Sequence, residues 1–138
     1  MRSLYGKRKR GEIMGDKNSY KTSKKDFELF RSETLKWLKR FGLNDWFIEI
    51  EHETPERNDA RAICLGCLED KHAFIKMDVE WDIKPISKSI KEAAFHEAAE
   101  LLLMRFTILA GERFVSEREL VEARHSVIQV LYNLVGHL

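Results

Sequence analysis

Residues 87–110 run for two dozen positions without a proline or glycine, and at their centre stands Phe95-His96-Glu97-Ala98-Ala99-Glu100-Leu101-Leu102-Leu103. Such a stretch predicts one helix, longer than the average, with Ser87 as its cap and Gly111 as its stop. Its apolar residues, among them Ile90, Phe95, Leu101, Leu102, Phe106 and Leu109, cover most of the circumference. A helix apolar on several sides is expected to be central, with the rest of the chain packed around it. One imidazole and two carboxylates inside that apolar run then need a reason, because burying them without partners costs free energy.

The remaining elements follow from local pattern. Ser23 is a plausible N-cap, and Phe27, Phe30, Leu35, Leu38 and Phe41 recur at helical spacing until Gly42. Trp46 to His52 alternates apolar and polar residues, as a half-buried strand does. After the loop Pro55-Glu56-Arg57-Asn58-Asp59, residues 60–68 and 73–79 read as two strands joined by Glu69-Asp70-Lys71-His72, a hairpin in a sheet expected to be antiparallel. Ser116 followed by Glu119 is a capping-box pattern that opens a last helix with Leu120, Val121, Val127, Ile128, Leu131 and Val135. The expected class is α+β: a small, mostly antiparallel sheet packed on a long central helix, with one helix before and one after.

Charge divides the chain unevenly. Net charge is +1, yet residues 1–25 carry nine Lys or Arg against Glu12 and Asp16, which leaves −6 for the rest. Residues 1–22, with Lys7-Arg8-Lys9-Arg10, are expected to form a disordered basic arm and residues 23–138 the folded domain. The arm reads either as a solvated tail or as a segment making weak nucleic-acid contact through residues 7–10. No apolar stretch approaches the roughly 18 residues of a membrane span, and no secretory leader is evident, so the expectation is a cytoplasmic protein without a membrane partner.

Side chains four apart share a helix face, so His96 and Glu100 point into one volume with Glu97 beside them. In the His-Glu-x-x-His pattern two imidazoles hold zinc and the glutamate takes a proton from metal-bound water. Here Glu100 stands where the second histidine would be, and a carboxylate is itself a zinc ligand. A catalytic zinc wants a third protein ligand. Helical geometry on the last helix places Arg124 near the middle of the apolar face, His125 at its edge and Glu122 almost opposite, which makes His125 the best third ligand. Arg124, if buried, must be paired, and Glu100 or Glu97 is the obvious partner. The same residues therefore fit two arrangements: zinc on His96, Glu100 and His125 with Glu97 as general base, or a Glu100–Arg124 salt bridge in the metal's place.

The order helix, strand, hairpin, His-Glu helix, last helix, together with Trp46-Phe47-Ile48-Glu49-Ile50, the strand from Ala73 to Val79, the 95–103 motif and Glu122-Ala123-Arg124-His125-Ser126-Val127-Ile128, resembles the small zinc metallopeptidases encoded by phages and prophages. The resemblance spans about residues 27–135 and implies a minimal zincin-like fold. It implies peptide hydrolysis by a zinc-activated water, acting on a peptide or protein. The chain departs from the pattern at Glu100 and, by the same comparison, at Arg124, and the two departures are complementary in charge. Three functions stay open: a zinc metallopeptidase, a catalytically inactive protein-binding module on the same scaffold, and a nucleic-acid-associated protein acting through the arm. For a peptidase, the strand from 73 to 79, if at the sheet edge, would align an extended substrate.

Cys64 and Cys67 are the only cysteines. A closed zinc site would need two more ligands, and residues three apart on a strand face opposite sides, so strand core plus an exposed thiol is the expectation. Trp37, Trp46 and Trp81 are spaced as core or rim residues, and neither a glycine-rich phosphate loop nor a Gly-x-Ser-x-Gly elbow is present.

Overall fold

The computed structural model describes residues 19–56, 60–112 and 114–135. The basic run 7–10 lies outside them. Three helices and five strands follow in the order β1 (Tyr20–Lys21), α1 (Lys24–Arg40), β2 (Phe47–His52), β3 (Ala62–Cys67), β4 (His72–Met77), β5 (Glu80–Trp81), α2 (Ser87–Gly111) and α3 (Glu117–Val135). The α+β architecture expected from the sequence is present, with α2 at its centre: α1, β3 and α3 all pack on it.

Helix α1 starts where the local chemistry dictates. The Asp26 amide donates to Ser23 Oγ at 3.0 Å and the Ser23 amide donates to Asp26 Oδ2 at 2.9 Å, which satisfies two backbone groups the helix would otherwise leave open. Phe30, Thr34, Leu38 and Phe41 form its buried side, and the Thr34 hydroxyl returns to the Phe30 carbonyl at 2.7 Å. Gly42, at φ +75, takes the left-handed turn that ends it. On α2 the cap differs from expectation. Ile86 is the N-cap, and it is Ser89 that accepts from the Ile86 amide, so the serine one turn further in does the work expected of Ser87.

The domain begins before Ser23. Residues 20–21 pair antiparallel with β5, and Thr22 is buried, its hydroxyl donating to the Asp78 carbonyl at 3.0 Å and lying 2.7 Å from His52 Nε2. The second sheet has the order β2-β4-β3. β3 and β4 form the expected hairpin, from Cys67 opposite His72 to Ala62 opposite Met77. β2, however, runs parallel to β4. Alternation identifies a half-buried strand without saying which neighbour it takes; here β3, running back between them in sequence, serves as the return that a parallel pair needs. The strand expected at 73–79 spans His72–Met77 and is consequently the middle strand rather than an edge. Ala73, Ile75 and Met77 are fully buried, as a central strand requires.

Ala62, Cys64 and Gly66 alternate along β3 on one side, and that side lies against α2. A methyl group added at Gly66 would stand 2.6 Å from Met104 Sδ and 3.5 Å from Leu101 Cδ1. Small residues at every second position thus let the strand approach the helix closely. The buried side of α2 is Ile90, Ala93, Ala94, Glu97, Ala98 and Leu101, while Phe95 and Leu103 face outward. The helix is central without being covered all round.

Candidate functional site

The motif residues meet where the middle of α2 passes over β3. His96 Nε2 lies 3.0 Å from Glu100 Oε1, with both side chains largely covered. Glu97 lies beside Glu100 on the buried side of α2 and is 2% exposed. Its Oε2 is buried with no hydrogen-bond partner. Burial first, and the charge of Glu100 second, hold the Glu97 carboxyl well above the ordinary carboxylate range. Cys64 on β3 faces the same pair of glutamates. Its thiol is pushed far up by burial and then by the negative charges of Glu97 and Glu100.

Helix α3 does not complete this group. Ala123 is its one buried residue, with Val127, Val130 and Leu134 half-covered on the same side. At about 100° per residue, Arg124 lies a quarter turn from Ala123 and His125 roughly 200° away. Both are exposed. Neither of the expected partnerships with α2 is made: Glu100 pairs with His96 rather than Arg124, and His125 faces away from the motif. Instead Arg105 of α2 reaches Glu122 of α3 at 3.8 Å. Among the described residues no three His, Cys, Asp or Glu side chains gather to hold a metal ion. The physical reason is that α3 carries two apolar stripes. Ala123, Val127, Val130 and Leu134 pack inward, whereas Leu120, Ile128, Leu131, Tyr132 and Val135 stay exposed, and Arg124 belongs to that outer stripe.

Zinc at a catalytic site takes three protein ligands and keeps one position for water. His96 and Glu100 suit it in donor type and in convergence, and an unpartnered buried carboxylate oxygen beside them is a feature that an ion or water commonly explains. His125, as placed, does not fit. The residue that the sequence reading set aside is Cys64. The signal for it was present in the small residues at 62, 64 and 66, which mark the face of β3 that approaches a helix. Compared with known proteins, the chain matches no family model, no curated protein and no solved structure.

Proposed function

We propose that the chain is a metallopeptidase-like protein of the small phage and prophage type, with its chemistry centred on His96, Glu97 and Glu100 of α2. One observation carries this reading: an imidazole and a carboxylate converge within 3.0 Å beside a second, buried carboxyl group whose Oε2 has no hydrogen-bond partner. Polar groups are not set so deep in a helix–sheet contact for solubility. His96 Nε2 and Glu100 Oε1 would be two of the three protein donors that a catalytic zinc takes, and among the described residues no third gathers beside them. When bound, the ion supplies Lewis acidity toward a carbonyl and makes water a nucleophile near neutral pH. Glu97 holds a proton beneath them. The free edge of β3, rather than the 73–79 strand, offers its main chain to an extended peptide.

The test is elemental analysis of protein purified without chelators, paired with hydrolysis of an unfolded casein substrate. The reading expects about one zinc per chain, lost in His96→Ala and retained in Glu97→Gln, with hydrolysis lost in both. A chain that takes up no zinc and cleaves nothing removes it. A second reading, a non-hydrolytic protein-binding module, is favoured by the outer stripe of α3, where Leu120, Ile128, Leu131, Tyr132 and Val135 leave a helix face bare. Zinc content separates the two.

A further inference from the structure

The outer stripe of α3 has an order of its own. Glu117, Val121, Arg124, Ile128, Leu131 and Val135 follow one another in alternating steps of four and three, the repeat of 3.5 residues by which one helix packs along another. Leu120 and Tyr132 flank that line, and Tyr132 is 73% exposed. At about 100° per residue the line runs roughly a third of a turn from the side that Ala123, Val130 and Leu134 turn to the core. Because α3 rests chiefly on α2, one apolar side would suffice for the isolated chain.

The rest of the helix surface is finished for water, and the contrast is informative. Arg118 Nε donates to Glu122 Oε1 at 3.3 Å, Gln129 Nε2 donates to Asn133 Oδ1 at 3.0 Å, and Ser126 Oγ donates to the Glu122 carbonyl at 3.0 Å. Along the outer line Arg124 makes no ion pair among the described residues, since Glu122 is engaged by Arg105 and Arg118. An apolar line with a coiled-coil repeat calls for a second helix.

We infer that this helix is α3 of a second copy, run antiparallel, so that the chain forms a reversible homodimer. The seam complements itself in that orientation alone. About a two-fold axis level with position 126, Val121 lies against the partner's Leu131, Arg124 against the partner's Ile128 and Glu117 against the partner's Val135. Helix side chains lean toward the N-terminus. Each Arg124 guanidinium is thereby carried one turn back, level with the partner's Tyr132, and a cation over an aromatic ring is favourable. Run parallel, the seam would set arginine on arginine and glutamate on glutamate, and it would lose the opposed helix dipoles. The overlap takes in all 19 residues of α3, about 28 Å of helix. Two helices in contact over that length reach the lower end of stable interfaces, about 1,000–1,200 Å² in total. The inference does not rest on the zinc reading, and if it holds, the stripe no longer argues for a separate protein partner.

Sedimentation equilibrium of the full chain from about 1 to 300 μM tests it, with the mass expected to climb toward twice the monomer and a dissociation constant of about 1–100 μM. Three variants are run beside it, each verified by circular dichroism. Ile128 and Leu131 are both 52% exposed, so I128K/L131K keeps its fold, and it should weaken association about 100-fold or more. R124L removes the charge from the seam and should tighten association about ten-fold, a gain that no folding defect imitates. V135K should stay associated, because the new lysine faces the partner's Glu117. A wild-type chain that is monomeric throughout overturns the inference, as does association undiminished in I128K/L131K or no tighter in R124L. Dissociation of V135K overturns the antiparallel pairing. Metal content enters none of these readouts, so this inference and the zinc reading fail separately.

Discussion

His96 and Glu100 face each other across one turn of α2, with Nε2 and Oε1 3.0 Å apart. Both side chains retain some access to solvent, 12% and 26%. As a structural pair in a largely covered place, they hold about 1–3 kcal/mol, the cost of leaving Glu100 without its partner. Zinc bound to the native state would add to that. His96→Ala is therefore expected to abolish zinc uptake and, with chelator present in both proteins, to lower the unfolding free energy by about 1–3 kcal/mol. Elemental analysis before chelation and urea denaturation after it measure the two quantities. A large loss of stability at unchanged metal content would make the pair a structural one.

Glu97 predicts a pH dependence with a definite sign. Its carboxyl titrates well above its ordinary 4.5 because burial and Glu100 disfavour the charge. The native state thus keeps a proton that the unfolded chain gives up, and stability falls as pH rises from about 4.5 toward the raised native value. Below that window the acid costs nothing extra. Glu97→Gln keeps the shape and cannot ionise. With chelator present, the variant should be more stable than wild type by about 1–3 kcal/mol at pH 8, with the difference shrinking toward pH 4.5. Thermal melts across that range check it, and a pH-independent difference would show that Glu97 ionises freely in the fold.

The close approach of β3 to α2 rests on Gly66. Its missing side chain leaves room for the Met104 thioether, and a Cβ there would meet Sδ at 2.6 Å and Cε at 3.1 Å. Methionine is flexible, so Gly66→Ala should cost only about 1 kcal/mol as Met104 swings aside. Met104→Ala removes the obstacle. The double variant should then lose less stability than the two single losses combined, a coupling of about 0.5 kcal/mol or more by denaturant unfolding. Strict additivity would mean that strand and helix do not touch at this point.

What the sequence made legible was local. Ser23, Gly42, and Ser116 with Glu119 marked helix ends because capping is decided within four residues. Alternation from Trp46 to His52 identified a strand for the same reason. Partner choice is not local, which is why the parallel pairing of β2 with β4, and the two-residue β1, did not show in the pattern. His125 illustrates the limit most clearly. Leu120, Val121, Val127, Ile128, Leu131 and Val135 recur at helical spacing, and taking them as the buried face put that face beside Arg124. Packing chose the side with Ala123 instead, since a small residue lets α3 approach α2.

Cys64 and Cys67 give the sharpest test of how β3 is seated. They are three apart on one strand, so they face opposite sides. Cys67 is exposed, whereas Cys64 turns toward α2, where burial and the negative charges of Glu97 and Glu100 push its thiol far up and suppress the reactive thiolate. Native protein at pH 8 should therefore alkylate with iodoacetamide at one position. Cys67→Ser should abolish that fast reaction and Cys64→Ser should leave it unchanged. In guanidinium both thiols become available and two labels are expected. Mass spectrometry of the labelled chain counts them directly. Because Cys64 can react only when β3 lifts from α2, its native rate should trail that of Cys67 by about 100-fold or more. Equal native rates would place Cys64 in solvent and remove the strand–helix contact on which the site beneath His96 and Glu100 depends.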